Sequence, residues 1–278
     1  MKQSALLLAS VTLLLLFSCS DDINEELVYN EELPVPIRLA VSETDSRTRA
    51  IVNSISDISV NALGIYEVAE GNTAGTFPWT PTPLLSNTAP SGISGNQLTF
   101  SPKLYYPMGG RKVIFYGYYP RTTATSGANY VTPPNNGIAP TFNFTLTGQE
   151  DIMHAISNSS SSTPPGTAAT LTFNHKLTQI QLSFSALSAI LTGIKILNVK
   201  NIGTMNLETG VITYSSGTTD FSLSKANLTT SNPILVPAGV PGYVVEVALL
   251  GLIPTRRYLI KPTSGNFLAG IIYTITLN

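Results

Sequence analysis

Cysteine, histidine and tryptophan are nearly missing from this 278-residue sequence, which has one Cys, two His and one Trp. A single thiol excludes an internal disulfide framework. Two histidines leave little material for a metal centre or a proton-transfer dyad. Charge is also scarce, at 11% of residues against the roughly 25% usual for soluble domains. The formal net charge of −1 argues against a nucleic-acid partner, because phosphate binding needs a concentrated basic face. After residue 20 no stretch keeps apolar residues at helical spacing for long. What fills the chain is Ser, Thr, Asn and Gly around an ordinary 43% of hydrophobic residues. A polar, weakly charged surface of that kind suits an extracellular β-protein better than a cytosolic helical enzyme.

The first fifty residues form a separate compositional unit. Of the 16 acidic residues, 8 lie before Ala50, from Asp21 to Asp45, with only Lys2, Arg38, Arg47 and Arg49 to oppose them. Met1-Lys2 followed by the apolar run Ala5 to Phe17 has the form of a secretory signal, and the run is too short to span a bilayer. The signal ends in Leu16-Phe17-Ser18-Cys19, which resembles a bacterial lipobox, so residues 1–18 read as a lipoprotein signal peptide and Cys19 as the lipidation site. The alternative is an ordinary signal peptide with an incidental cysteine. A secreted chain without a second Cys has no disulfide use for this thiol. Ser20-Asp21-Asp22 resembles the acidic tag that carries some lipoproteins to the outer face of the outer membrane.

The rest reads as all-β. Ile37-Arg38-Leu39-Ala40-Val41 alternates, with Ile37, Leu39 and Val41 on one face. Further strands are expected at Ile58 to Val68, Leu98 to Phe100, Val113 to Tyr119 and Phe142 to Leu146. A second series runs through Leu171 to Phe173, Ile180 to Phe184, Ile194 to Val199, Val211 to Tyr214, Ile234 to Val236, Tyr243 to Leu250 and Arg257 to Lys261. It closes with Ile271 to Leu277. Short strands with Gly, Pro and Asn between them indicate antiparallel sandwiches. The polar run from Ser157 to Gly166 reads as an exposed linker, dividing the chain into domains at 50–160 and 161–278 after a tether at 19–49. One large sandwich with a long surface loop is the other arrangement.

Chemistry is sparse. Glu150, Asp151 and His154 are the tightest titratable group, and Asp151-x-x-His154 supplies two metal ligands without a third or fourth. His154 and His175 therefore read as hydrogen-bonded structural residues, with no metal and no cofactor. The chain has no G-x-S-x-G elbow, H-E-x-x-H or phosphate-cradling glycine loop, so the reading is not an enzyme. Trp79, in the proline-flanked Phe77-Pro78-Trp79-Thr80-Pro81, either caps a sandwich end or stacks on a sugar. Tyr105, Tyr106, Tyr116, Tyr118 and Tyr119 read as core and strand-face residues.

Ser46-Arg47-Thr48-Arg49-Ala50 stands between the acidic tether and the first domain and is a trypsin-like site if exposed. Taken with the lipobox, Leu63-Gly64-Ile65-Tyr66, LTFSPKLYYPMGGRKVIFYGYYP, DIMHA, LTFNHKLTQIQLSFSA and the terminal FLAGIIYTITLN, it resembles the fimbrillin family, the lipoprotein pilins of type V pili, in its Mfa-like branch. The resemblance implies two tandem transthyretin-like antiparallel sandwiches and export as an outer-membrane lipoprotein precursor held by lipid on Cys19. An arginine-specific protease then removes an N-terminal segment, and pilin subunits join by strand exchange in an extracellular fimbria. Mapped here, it implies cleavage at Arg49–Ala50, with Arg47 as second choice, and Ile37, Leu39 and Val41 as the strand removed. The donor candidate is the C-terminal strand, with Ile271, Tyr273, Ile275 and Leu277 on its apolar side. A monomeric surface lipoprotein that binds a glycan or a host protein receptor is the alternative.

Overall fold

The computed structural model describes residues 34–43, 58–157, 165–184, 190–227, 229–250 and 255–277. Cys19, Arg47, Arg49 and Ala50 lie outside the described residues, as does most of the polar run after Ser157. Nearly all the regular structure is strand, and the protein is all-β. The strands of the first part are β1 (Leu39–Glu43), β2 (Gly64–Ala69), β3 (Gly92–Ser94), β4 (Gln97–Thr99), β5 (Val113–Tyr119), β6 (Tyr130–Val131), β7 (Thr141–Thr145), β8 (Met153–Ile156) and β9 (Ala169–His175). Then follow β10 (Leu177–Phe184), β11 (Leu191–Val199), β12 (Ile202–Asn206), β13 (Ile212–Tyr214), β14 (Thr219–Leu223), β15 (Ile234–Pro237), β16 (Tyr243–Leu249), β17 (Arg256–Ile260) and β18 (Ile272–Leu277).

They form four sheets. The largest has seven strands in the order β2-β5-β8-β9-β1-β4-β3, and the others run β15-β10-β18, β14-β11-β16-β17 and β13-β12-β7-β6. Two of these sheets draw strands from both sides of residue 160, through the β8–β9 and β7–β12 pairings.

The run Val113-Ile114-Phe115-Tyr116-Gly117-Tyr118 is apolar throughout because β5 is covered on both faces. Val113 and Phe115 join a core cluster with Leu39, Val41, Ile65, Met153, Leu171 and Phe173. Ile114, Tyr116 and Tyr118 join a larger one with Trp79, Phe142, Phe144 and much of the second strand series. Gly117 makes the first packing possible, since a Cβ there would sit 2.7 Å from Phe173 Cζ.

The sequence reading differs from the structure in three places. Val60–Ala62 is a 3₁₀ turn, closed by Ala62 N–H donating to Ser59 O, so the strand starts only at Gly64. Strands β3, β6, β8, β12 and β14 have no counterpart among the expected strands, because each is at most five residues long and too short to show a clear alternation. Ser157, expected in an exposed linker, is fully buried, and its hydroxyl accepts the Phe115 N–H at 3.0 Å.

Candidate functional site

The segment 34–43 is an N-terminal insert in the middle of the largest sheet. Leu39, Ala40, Val41, Ser42 and Glu43 pair in parallel with residues Ala169 to Phe173 of β9, and Leu39 and Ala40 pair antiparallel with Leu98 and Gln97 of β4. The segment is bonded along both edges. Ala169 N–H donates to Arg38 O at 3.0 Å, and Val41 N–H donates to Asn96 O at 2.8 Å. Upstream, Ile37 N–H donates to Leu104 O at 3.0 Å and Tyr106 N–H to Val35 O at 2.8 Å. The hydroxyls of Ser42 and Thr172 are 2.9 Å apart.

Period-two alternation explains the burial. Leu39 and Val41 point into the core at 0% and 1% exposure, with Ile37 and Val35 packed against it, while Ala40 and Ser42 are half-buried. Full burial of two such side chains is worth about 1.5–3 kcal/mol each. Withdrawal of the segment would leave an apolar slot between β9 and β4, walled by unpaired N–H and C=O groups on both sides.

β18 is the opposite case. It pairs in parallel with β10, from Gln179↔Ile272 to Phe184↔Leu277, and stands at the edge of its sheet. Of its apolar residues only Leu277 is buried; Ile272, Tyr273 and Ile275 are half-buried, as is Ile271 just before the strand. Only Lys176 separates β9 from β10, and the two read as one run from 169 to 184. Odd-numbered residues of that run turn their backbone groups to one edge: Ala169 N–H reaches Arg38 O, Gln179 N–H reaches Ile271 O, and Leu177 O accepts from Gly270 N–H. β1 and β18 therefore dock on the same edge of one long run, both parallel to it.

The remaining sequence candidates resolve as structural groups. Asp151 does not combine with His154. Its carboxylate lies 3.0 Å from Nδ1 of His175, a buried pair tying the chain two residues ahead of β8 to the end of β9. His154 Nε2–H donates to Leu207 O at 2.9 Å. Burial pushes the His154 pKa down to about 4, with the positive charge of Lys176 acting in the same direction and the Leu207 bond opposing it. Among the described residues no group of three or more His, Cys, Asp or Glu is placed to hold a metal ion. Trp79 is buried at 3% exposure, edge-on to Tyr66 at 5.9 Å and tilted on Tyr116 at 5.1 Å, so its ring is core and does not stack on a sugar. Tyr106, Tyr116 and Tyr118 are buried, Tyr119 is half-buried, and Tyr105 is exposed.

Two comparisons with known proteins give matches. A family model described as fimbrillin-like matches residues 48–278. Among solved structures, a candidate cell adhesion protein from Bacteroides uniformis superposes with a TM-score of 0.56 at 17% identity, covering 89% of this chain and 93% of its own. A fimbrial protein from Bacteroides vulgatus gives 0.51 at 14% identity, covering 87% and 95%. A candidate cell adhesion protein from Bacteroides ovatus gives 0.50 at 17%, covering 87% and 91%. At these identities the likeness is one of fold. No curated protein matches the chain.

Proposed function

Because this chain belongs to the fimbrillin-like family, we propose that it is a structural and adhesive pilus subunit, exported as a lipoprotein on Cys19, cut after Arg49 and polymerised by β-strand exchange. The observation that carries the reading is the position of β1. A strand lying before the cut is held on both edges inside a sheet made otherwise of residues that follow it. Cleavage at Arg49–Ala50, or after Arg47, would leave residues 34–43 attached by non-covalent contacts alone.

The asymmetry between the termini supports the direction of exchange. β1 is doubly paired and buried, which suits the occupant of an acceptor groove. β18 is singly paired and half-buried, which suits a strand that detaches at lower cost and adds to another sheet. Both run parallel to the 169–184 strand, so a neighbour's Tyr273-Thr274-Ile275-Thr276-Leu277 entering the slot in the polarity of β1 would meet β9 as it now meets β10. Such a contact is heterologous and does not close on itself, so it propagates as a filament. Two tandem sandwiches belong to the same reading, with β9 and β12 completing sheets that hold β8 and β7 from before residue 160. The partners are an arginine-specific protease, other pilin subunits and, for the precursor, outer-membrane lipid.

Deletion of residues 271–278 tests it. The account expects a folded, secreted, cleavable monomer that forms no polymer on its own. Unchanged filaments from the truncated chain would overturn β18 as donor.

A further inference from the structure

Glu67 is a buried carboxyl with no partner. It is 1% exposed, and neither side-chain oxygen has a hydrogen-bond donor. Among the described residues the other buried carboxyl group, Asp151, has His175 beside it. Alternation along β2 puts Glu67 on the face of Ile65 and Ala69, towards the core cluster that Leu39 and Val41 complete. A cavity of about 330 Å³ is lined in part by Glu67, Val68, Ala69 and Glu70, but the Glu67 carboxyl oxygens are closed to solvent. The group is therefore not a ligand site.

Its surroundings lead directly to the N-terminal segment. Glu67 pairs across the sheet with Phe115, whose ring is edge-on to Tyr106 at 6.3 Å. Tyr106 is close enough for the Glu67 charge to act on its hydroxyl. Tyr106 in turn donates its N–H to Val35 O at 2.8 Å and its hydroxyl to Thr167 O at 2.9 Å. The carboxyl thus lies on the core face that Leu39 and Val41 complete, linked to Val35 through Phe115 and Tyr106. An ionised carboxylate buried without donors is costly, while a protonated one is tolerated.

We propose that Glu67 is a proton-operated catch on the N-terminal segment: protonated, it lets the segment close over the core; ionised, it favours the segment's departure. The proposal rests on the reading that residues 34–43 leave the sheet. Burial is the sole cause that raises the Glu67 pKa from 4.5 to about 7. Around it, Tyr106 has its own pKa raised to about 12, mainly by burial, and stays protonated at neutral pH. Glu70 follows at the end of β2, Arg111 and Lys112 precede β5, and the Asp151–His175 pair lies at the end of β9.

The sign follows from linkage. The closed state holds its proton up to about pH 7, whereas a hydrated glutamate releases it near 4.5. Closure is therefore fully favoured below pH 4.5 and weakens as pH rises towards 7. If opening fully rehydrates the carboxyl, the opening equilibrium rises about fifty-fold between pH 5 and 7.5.

The test is amide hydrogen exchange on the intact, uncleaved chain at pH 5 and 7.5, normalised to the intrinsic chemical rate and read at Leu39, Val41, Leu171 and Phe173. The wild type should show the rise, and Glu67→Gln and Glu67→Leu should lose it while keeping these amides protected. Any pH dependence of other origin is common to all three proteins and cancels in the comparison. A wild-type profile matching the variants would overturn the catch, as would opening seen only with global unfolding. Because the experiment needs neither protease nor polymer, failure of the catch is distinguishable from failure of strand exchange.

Discussion

Truncating Leu39 to alanine is the most informative single change in the N-terminal segment. Leu39 is fully buried, stands between Leu98 of β4 and Ala169 of β9, and belongs to the cluster containing Val41, Phe115 and Phe173. Leu→Ala in cores costs about 2–5 kcal/mol, the spread reflecting how far the site can collapse. Here the walls are strands held by ladder hydrogen bonds, which limits collapse, and the loss should be about 3 kcal/mol. Two assays read it. Urea unfolding of the intact chain should show the destabilisation directly. Binding of a synthetic 34–49 peptide to chain that has been cleaved and stripped should weaken about 100-fold, at about 1.4 kcal/mol per tenfold. Ser42→Ala is the control: it loses one half-buried hydroxyl contact, worth about 0.5–1.5 kcal/mol. A Leu39→Ala loss below 0.5 kcal/mol, or equal peptide affinity for the two sequences, would refute the claim that apolar burial seats this strand.

Other changes are checked more simply. The single tryptophan, Trp79, should emit at short wavelength and resist iodide quenching in the intact chain, because it is 3% exposed. Gly210 has φ of 66°, and a Cβ there would sit 2.4 Å from His154 Nδ1, so Gly210→Ala should cost about 1–3 kcal/mol by thermal denaturation. His154, with its pKa pushed down to about 4, should stay neutral in NMR titrations from pH 5 to 8. Since the unfolded chain takes up that proton first, His154 subtracts stability as pH falls from about 6.5 towards 4, opposite in sign to Glu67. Glu246→Ala should cost under about 1 kcal/mol, because its 2.9 Å bond to Arg257 is exposed.

The strand pattern of this fold was largely legible, and so were the two terminal strands of interest. Ile37, Leu39 and Val41 alternate, and Tyr273, Ile275 and Leu277 do the same, because each strand shows one face to a core. Their neighbours were not legible. β1 pairs with β9 across some 130 residues of chain, and nothing local in either strand encodes a parallel register. β8 is not legible because a four-residue strand buried on both faces, with a histidine inside it, has no alternation to read. Glu67 was invisible for a related reason: in sequence it is one polar residue among apolar ones, and only the fold deprives it of a donor. In sequence Trp79 fits either a core position or a sugar platform, and only its enclosure by Tyr66 and Tyr116 decides for core.

Intact mass and N-terminal sequencing of the surface-exposed protein, with its size read in SDS without heating, test the central claim most directly. The account expects a mature chain beginning at Ala50, lacking residues 34–43, in SDS-resistant polymers. A stable monomer that still carries residues 34–43 and lipid on Cys19 would contradict it.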